Sequence, residues 1–265
     1  MVTTEQIKNY LKKVPPMPKP LKETFEFLKN GDLSGAARAA ANDPAIIFYL
    51  KQVVNSAAYG FKSEVTNPNQ IFSILGVARA KQLMYAYMTS YVAPDKWGFF
   101  DLKKDDFIMF QTSLMHFWEE IIKIEKADER YLSASSIFSA GLVVADGVFS
   151  DHIENVNLIR EVEDVALNDI LKRVSGLNFE KLIEKVVESW GVEKDILELV
   201  KLSFADTKCE HNEIKCKLAK YLHLLLFYEL SRPKMMEAEV NYFVEFKPEF
   251  TKEVSQKFFD MVGAK

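Results

Sequence analysis

FIMFQTSLMHFWEEI, residues 107–121, sets Phe107, Phe110, Leu114, Phe117, Trp118 and Ile121 at steps of three and four. A chain that turns every 3.6 residues gathers these six side chains into one stripe, so the segment predicts a helix with one buried face. The run 179–190 repeats the pattern through Phe179, Leu182, Ile183, Val186, Val187 and Trp190. It ends at Gly191, a residue suited to a left-handed C-terminal cap. Similar spacing predicts helices over 4–13, 18–29, 34–41, 44–55, 68–91, 131–148, 162–174, 194–204, 213–231 and 248–262. Ser34, Asp43 before Pro44 and Asn67 before Pro68 offer helix-start acceptors, with proline in the first turn. No stretch alternates apolar and polar residues between hairpin turns, so the expected fold class is all-α, with no significant β-sheet.

Composition narrows the function. The chain has 265 residues, with 34 Lys and Arg against 38 Asp and Glu and a pI near 5.7. It lacks the basic surplus that phosphate backbones attract, which makes nucleic acid an unfavoured partner. Its two cysteines, Cys209 and Cys216, fit a reducing interior better than secretion, and a cytoplasmic location is the expectation. The spacing of CEHNEIKC, residues 209–216, matches no paired-cysteine zinc pattern. Cys216 is expected as a core thiol beside Leu218, Ala219 and Leu222, with Cys209 and His211 in the preceding turn. His223 reads as a packed histidine, and His152, after Asp151, as a turn or helix-start residue. The first fourteen residues lack a continuous apolar core, and they read as part of the fold. The run Leu222–Phe227, interrupted by His223, falls far short of the ~20 residues that span a bilayer, so no membrane span is expected. No glycine-rich phosphate loop and no G-x-S-x-G elbow occurs.

Four short motifs follow one another: VPPMPKPL at 14–21, NDPAI at 42–46, VVNSAAYG at 53–60 and IFSILG at 71–76. Their order and spacing resemble the HDOD family, the HD-related output domains of bacterial signalling proteins. The likeness runs over about 10–205, through SAGLVVADGVF at 139–149 and ESWGV at 188–192. It implies an HD-domain-like helical bundle: an HDOD domain over 1–205, made of an N-terminal helical lobe at 1–96 and an HD-like lobe at 100–205. Residues 206–265 are then a C-terminal helical extension packed on the same unit. The segment APDKWGFF, 93–100, is the expected seam, because Pro94 and Gly98 break helices while Trp97, Phe99 and Phe100 favour burial. Each motif residue also has a physical reading. Pro15 and Pro16 hold the chain extended before Pro18 opens a helix, and Asp43 with Pro44 starts another. Asn55 and Ser56 suit a helix end, Tyr59 a buried ring with a paired hydroxyl, and Gly60 and Gly76 a turn.

HD phosphohydrolases hold one or two divalent ions with a histidine on one helix, an adjacent His-Asp pair on the next and a distant aspartate. Those donors generate hydroxide and neutralise phosphate. Aligning QTSLMHFW with the first of these helices puts Thr112 on the histidine position. Aligning AGLVVADGVF with the second puts Val144 and Ala145 on the His-Asp pair, where neither side chain can ligate an ion. His116, one turn beyond Thr112, and Asp146, next to Ala145, are the only candidate substitutes. The expectation is no metal, no cofactor and no catalytic residue. The resemblance then implies a regulatory protein with a protein partner in a signalling pathway, of unspecified identity, and no assignable small-molecule ligand. Two alternatives stay open. One is a divergent metal-dependent phosphohydrolase using His116 and Asp146. The other is a nucleotide-messenger binder using Lys8, Lys12, Lys13, Lys19 and Lys22, although a solvated basic face explains these lysines equally well.

Overall fold

A computed structural model of the chain describes residues 17–56, 60–162, 165–205, 209 and 212–263. The expected helix at 4–13, the motif residues Pro15, Pro16 and Tyr59, the basic residues Lys8, Lys12 and Lys13, and His211 lie outside these. Thirteen α-helices follow in order among the described residues: α1 Lys19–Lys29, α2 Leu33–Ala40, α3 Pro44–Val54, α4 Pro68–Val92, α5 Lys104–Ile124, α6 Ala134–Asp151, α7 Ile153–Val162, α8 Leu167–Ser175, α9 Phe179–Trp190, α10 Lys194–Leu202, α11 Glu213–Leu230, α12 Pro233–Glu237 and α13 Pro248–Gly263. Short 3-10 helices cover Glu129–Ser133 and Val240–Phe243. The described residues contain no strand beyond one isolated bridge between Lys96 and Lys103, and the fold class is all-α.

The helix boundaries follow from local chemistry. The side chain of Asp43 accepts from the Ala45 amide at 2.9 Å, and Asn67 accepts from Asn69 and Gln70. The expected Ser34 cap is replaced by Asp32, whose carboxylate accepts from the Gly35 amide at 2.7 Å and so starts α2 at Leu33. A charged acceptor binds an orphan helix amide more strongly than a hydroxyl. Gly191 closes α9 at φ 66°, as its position predicts. The unbroken helix expected over 68–91 is interrupted at Gly76, which sits at φ 67°, ψ 176°. The helix expected over 162–174 is the shorter α8, α7 before it was not expected, and His152 is the turn residue between α6 and α7, as its position predicts. Only Val156 of α7 is fully buried.

Helix α6 is the axis of the molecule. It packs against α4, α5, α8, α9 and α10, and Ile137, Phe138, Ala140, Leu142, Ala145 and Phe149 are at most 1% exposed. Together with the preceding 3-10 turn, Glu129–Asp151 is long and apolar enough to cross a bilayer, yet 94% of its most apolar window is buried inside the protein. The apolarity that a membrane would demand here serves the core instead. Two glutamines tie the neighbouring helices to this axis. Gln82 of α4 donates to Ser135 Oγ at 3.0 Å while Ser136 donates to its carbonyl. Gln111 of α5 donates to Ser139 Oγ at 3.0 Å and accepts from Ser90 of α4 at 2.8 Å. Buried side chains so paired orient helices without leaving desolvated donors.

The last helices pack onto the rest through specific contacts. The carboxylate of Glu125, at the end of α5, receives Lys217 and Tyr221 of α11 and Lys257 of α13. His223 is fully buried, with Nδ1 2.7 Å from the Ser203 carbonyl and Nε2 accepting the Lys247 amide at 3.0 Å. A carbonyl only accepts and an amide N–H only donates, so the neutral ring with its proton on Nδ1 is the form that fits. Of the aromatics of 239–250, Phe243 joins the core, stacking on Phe179 at 4.4 Å and on Phe149 at 5.9 Å, while Tyr242 stays exposed. The cysteines depart from expectation. Cys209 and Cys216 form a disulfide rather than a core thiol and a turn residue, so the cysteines do not support the reducing interior expected from them.

Candidate functional site

The positions aligned with HD metal ligands fall on both sides of the α5–α6 packing. Thr112 and His116 are one turn apart on α5, and both are exposed. The inner stripe of α5 is formed instead by Phe107, Phe110, Gln111, Leu114 and Trp118. On α6, Val144 is 2% exposed and Ala145 0%, so both side chains are packed away from water. An aliphatic side chain offers no lone pair, and a bare cation among such walls would lack the ligands that offset its lost hydration.

Asp146 is 3% exposed, and its carboxylate is held by main chain. Oδ2 accepts from the Gly98 amide at 3.0 Å, and Oδ1 accepts from Phe99 and Phe100 at 2.9 Å each. Three consecutive N–H groups thus converge on one side chain, forming an anion nest in which the anion belongs to the protein. The nest fastens the 93–100 seam, whose Trp97 and Phe100 are 4% and 2% exposed. Packing there is tight: Ser150 donates to the Asp146 carbonyl at 2.7 Å, and a β-carbon at Gly98 would overlap Ser150 Oγ. Three of the carboxylate's lone-pair directions are thus taken by main chain. Among the described residues, no group of three or more His, Cys, Asp or Glu side chains is arranged to hold a metal ion.

Next to Thr112, the C-terminal helices add a charged pair. Ser113 Oγ donates to Glu229 Oε1 at 2.9 Å, and Arg232 donates to both at 3.0 and 2.9 Å. Glu229 is fully buried, and its Oε2 has no hydrogen-bond partner. Burial pushes its carboxyl above the usual range, against the opposing pull of Arg232 and Ser113.

A separate cleft of about 500 Å³ opens where α4 resumes after Gly76 and faces the 3-10 turn and the start of α10. Its walls include Val77, Lys81, Arg130, Glu193 and Asp195. Lys81 pairs with Glu193 at 2.6 Å, while Asp195 lies 3.5 Å from Arg130 and 3.1 Å from Lys215. The motif residues lie elsewhere. Asn55 bonds both the amide and the carbonyl of Val65, at 2.7 and 2.9 Å, and closes the loop after α3. Ser56 borders a shallow surface hollow with Phe48 and Glu64. Gly60 adopts φ 63°. Pro18 and Asp43 are the N-caps of α1 and α3, and Pro44 is the first residue of α3.

Sequence reasoning did not single out the buried glutamines, Glu125 or the cleft. Gln111 did carry a signal, because a polar residue inside a buried apolar stripe needs a partner.

Comparison with known proteins identifies the class. The HDOD domain family model matches residues 14–204, and the chain belongs to the HDOD domain family. Three solved structures share its fold. One is an HDOD domain protein of unknown function from Geobacter sulfurreducens, at 11% identity and TM-score 0.59, covering 99% of this chain and 98% of that one. The other two are from Shewanella amazonensis SB2B. One, provisionally named a metal-dependent phosphohydrolase, has 16% identity and TM-score 0.54, covering 90% of this chain and 97% of that one. The other, provisionally named a phosphohydrolase, has 12% identity and TM-score 0.58, covering 94% and 93%. No curated protein matches the chain.

Proposed function

We propose that this chain is a non-catalytic regulatory protein of bacterial signal transduction, acting in the cytoplasm by binding another protein. Its HDOD domain would comprise residues 1–205, with the helices beyond as an extension of the same unit. Thr112, Val144 and Ala145 are then vestigial ligand positions. One observation carries the reading: the acidic side chain nearest the lost His-Asp pair, Asp146, holds three loop amides, next to aliphatic packing at Val144 and Ala145. A carboxylate so committed fixes two parts of the scaffold relative to each other. A scaffold held in one shape, whose core carries no ligand set, is suited to presenting a surface to a partner.

The test is hydrolysis. The purified chain, supplied with Mn²⁺ or Mg²⁺, is assayed for phosphate or phosphomonoester release from nucleotides and a chromogenic phosphodiester. The expected rate equals that of the buffer with metal alone. A turnover that disappears in both His116→Ala and Asp146→Asn would establish the divergent hydrolase instead.

A further inference from the structure

The Cys209–Cys216 pair is the only pair of cysteines in the chain, and the function proposed above makes no use of it. Both residues are partly exposed rather than enclosed in the core. They bracket the start of α11, just beyond the end of the family match at residue 204. We infer that Cys209 and Cys216 form a reversible thiol–disulfide exchange site whose state sets how firmly the first turn of α11 is held against α10.

The surroundings define what the bond controls. Asn212 caps the helix through the Lys215 amide at 3.0 Å, and the Cys216 amide donates to the Asn212 carbonyl at 2.9 Å. Lys215 lies flat against the protein, 7% exposed at its side chain, and its ammonium bridges Asp195 at 3.1 Å and Glu198 at 2.6 Å on α10. Ion pairs with such exposed carboxylates are individually weak, so the crosslink is the strong restraint on this turn. From Leu218 onward α11 is anchored by burial of Leu218, Ala219 and Leu222. Cleavage is therefore felt locally, in residues 212–217. Asp195 also borders the 500 Å³ cleft beside Arg130, so a looser Lys215 changes the charge balance at that cleft.

The chemistry closes with a small-molecule thiol of the glutathione class. Its thiolate attacks one cysteine sulfur, the protein S–S bond breaks, and the electron pair leaves on the other sulfur, which takes a proton from water. A second thiol attacks the resulting mixed disulfide and releases the second cysteine. The protein gains two thiols, and two small-molecule thiols are oxidised to one disulfide. Exchange with the oxidised small molecule runs the same steps in reverse.

The test uses the full chain equilibrated in buffers from fully oxidised to fully reduced glutathione. Each sample is trapped with N-ethylmaleimide without denaturant, then read by intact mass and by hydrogen exchange. The inference predicts no adduct in the oxidised buffer and two in the reduced one. It also predicts severalfold faster exchange in peptides covering 212–217, with 218–230 unchanged. Cys209→Ser should show the hydrogen exchange of the reduced wild type over 212–217 in every buffer. Two adducts in all buffers would show that no disulfide forms, and a bond reducible only in denaturant would make it a fixed staple. Equal exchange in both states would remove the control over α11. Reduced thiols that resist trapping while stoichiometric zinc is released by a chelator would assign a metal site instead. Each of these results overturns the inference.

Discussion

Asp146 concentrates the functional argument in one side chain. Replacing it with Asn preserves its shape but swaps one acceptor oxygen for an NH2 group facing backbone N–H donors. Leaving at least one buried amide unpaired costs about 1–3 kcal/mol. Asp146→Asn should therefore lower the unfolding free energy measured in urea by that amount, and an unchanged value would show that the nest is dispensable. Val144→Asp gives the complementary reading. It places a carboxylate where nothing pairs with it, and the expected loss is about 3 kcal/mol or more, seen as a lower melting temperature. A tolerated Val144→Asp would mean an open, hydrated pocket instead. The assignment of Val144 and Ala145 to the His-Asp positions rests on the AGLVVADGVF register alone. The role of Asp146 is not legible. Its partners are main-chain amides 46 to 48 positions away, and backbone groups leave no mark in a sequence.

At the scale of elements, the helices that bury one stripe were readable and those that do not were missed. Helices α5 and α9 follow their expected periodicity because six residues in each face the core. Helix α7 buries only Val156 completely and leaves Leu158 and Val162 exposed, at 60% and 74%. The interruption in α4 was signalled only by Gly76, the expected turn residue. Ile71, Phe72 and Leu75 before Gly76, and Ala80, Leu83 and Met84 after it, are all buried, so the apolar pattern continues across the break. Gly76 has open space around a would-be β-carbon, which makes backbone conformation the whole reason for glycine there. At φ 67°, ψ 176° an alanine is strained by about 1–3 kcal/mol. Gly76→Ala should lower stability by that amount in a thermal melt, and a neutral result would show that α4 runs straight through in solution.

Across the whole molecule, Glu125 is where α5, α11 and α13 meet. Burial opposes its charge, but hydrogen bonds from Lys217, Lys257 and Tyr221 prevail and hold its carboxyl down at about 2. A carboxyl depressed in the folded state stabilises at pH above its unfolded value of about 4.3, and the contribution fades as pH falls towards 2. The size is on the order of 3 kcal/mol. The unfolding free energy of the wild type should thus drop between pH 4.5 and pH 2 by about that much more than in Glu125→Gln. Parallel profiles would remove Glu125 as the clamp. The disulfide was not legible. Cys209 and Cys216 are seven residues apart, and that spacing alone does not fix whether they pair.

The account stands or falls on the absence of a competent metal site between α5 and α6. A ligand that binds only the native state raises its stability, by about 2.7 kcal/mol at a hundredfold excess over the dissociation constant. The decisive measurement is the urea midpoint of the wild-type chain with and without millimolar Mn²⁺. The midpoint should stay where it is. A rise that vanishes in Asp146→Asn would place an ion at the carboxylate assigned here to the loop, and would contradict the account.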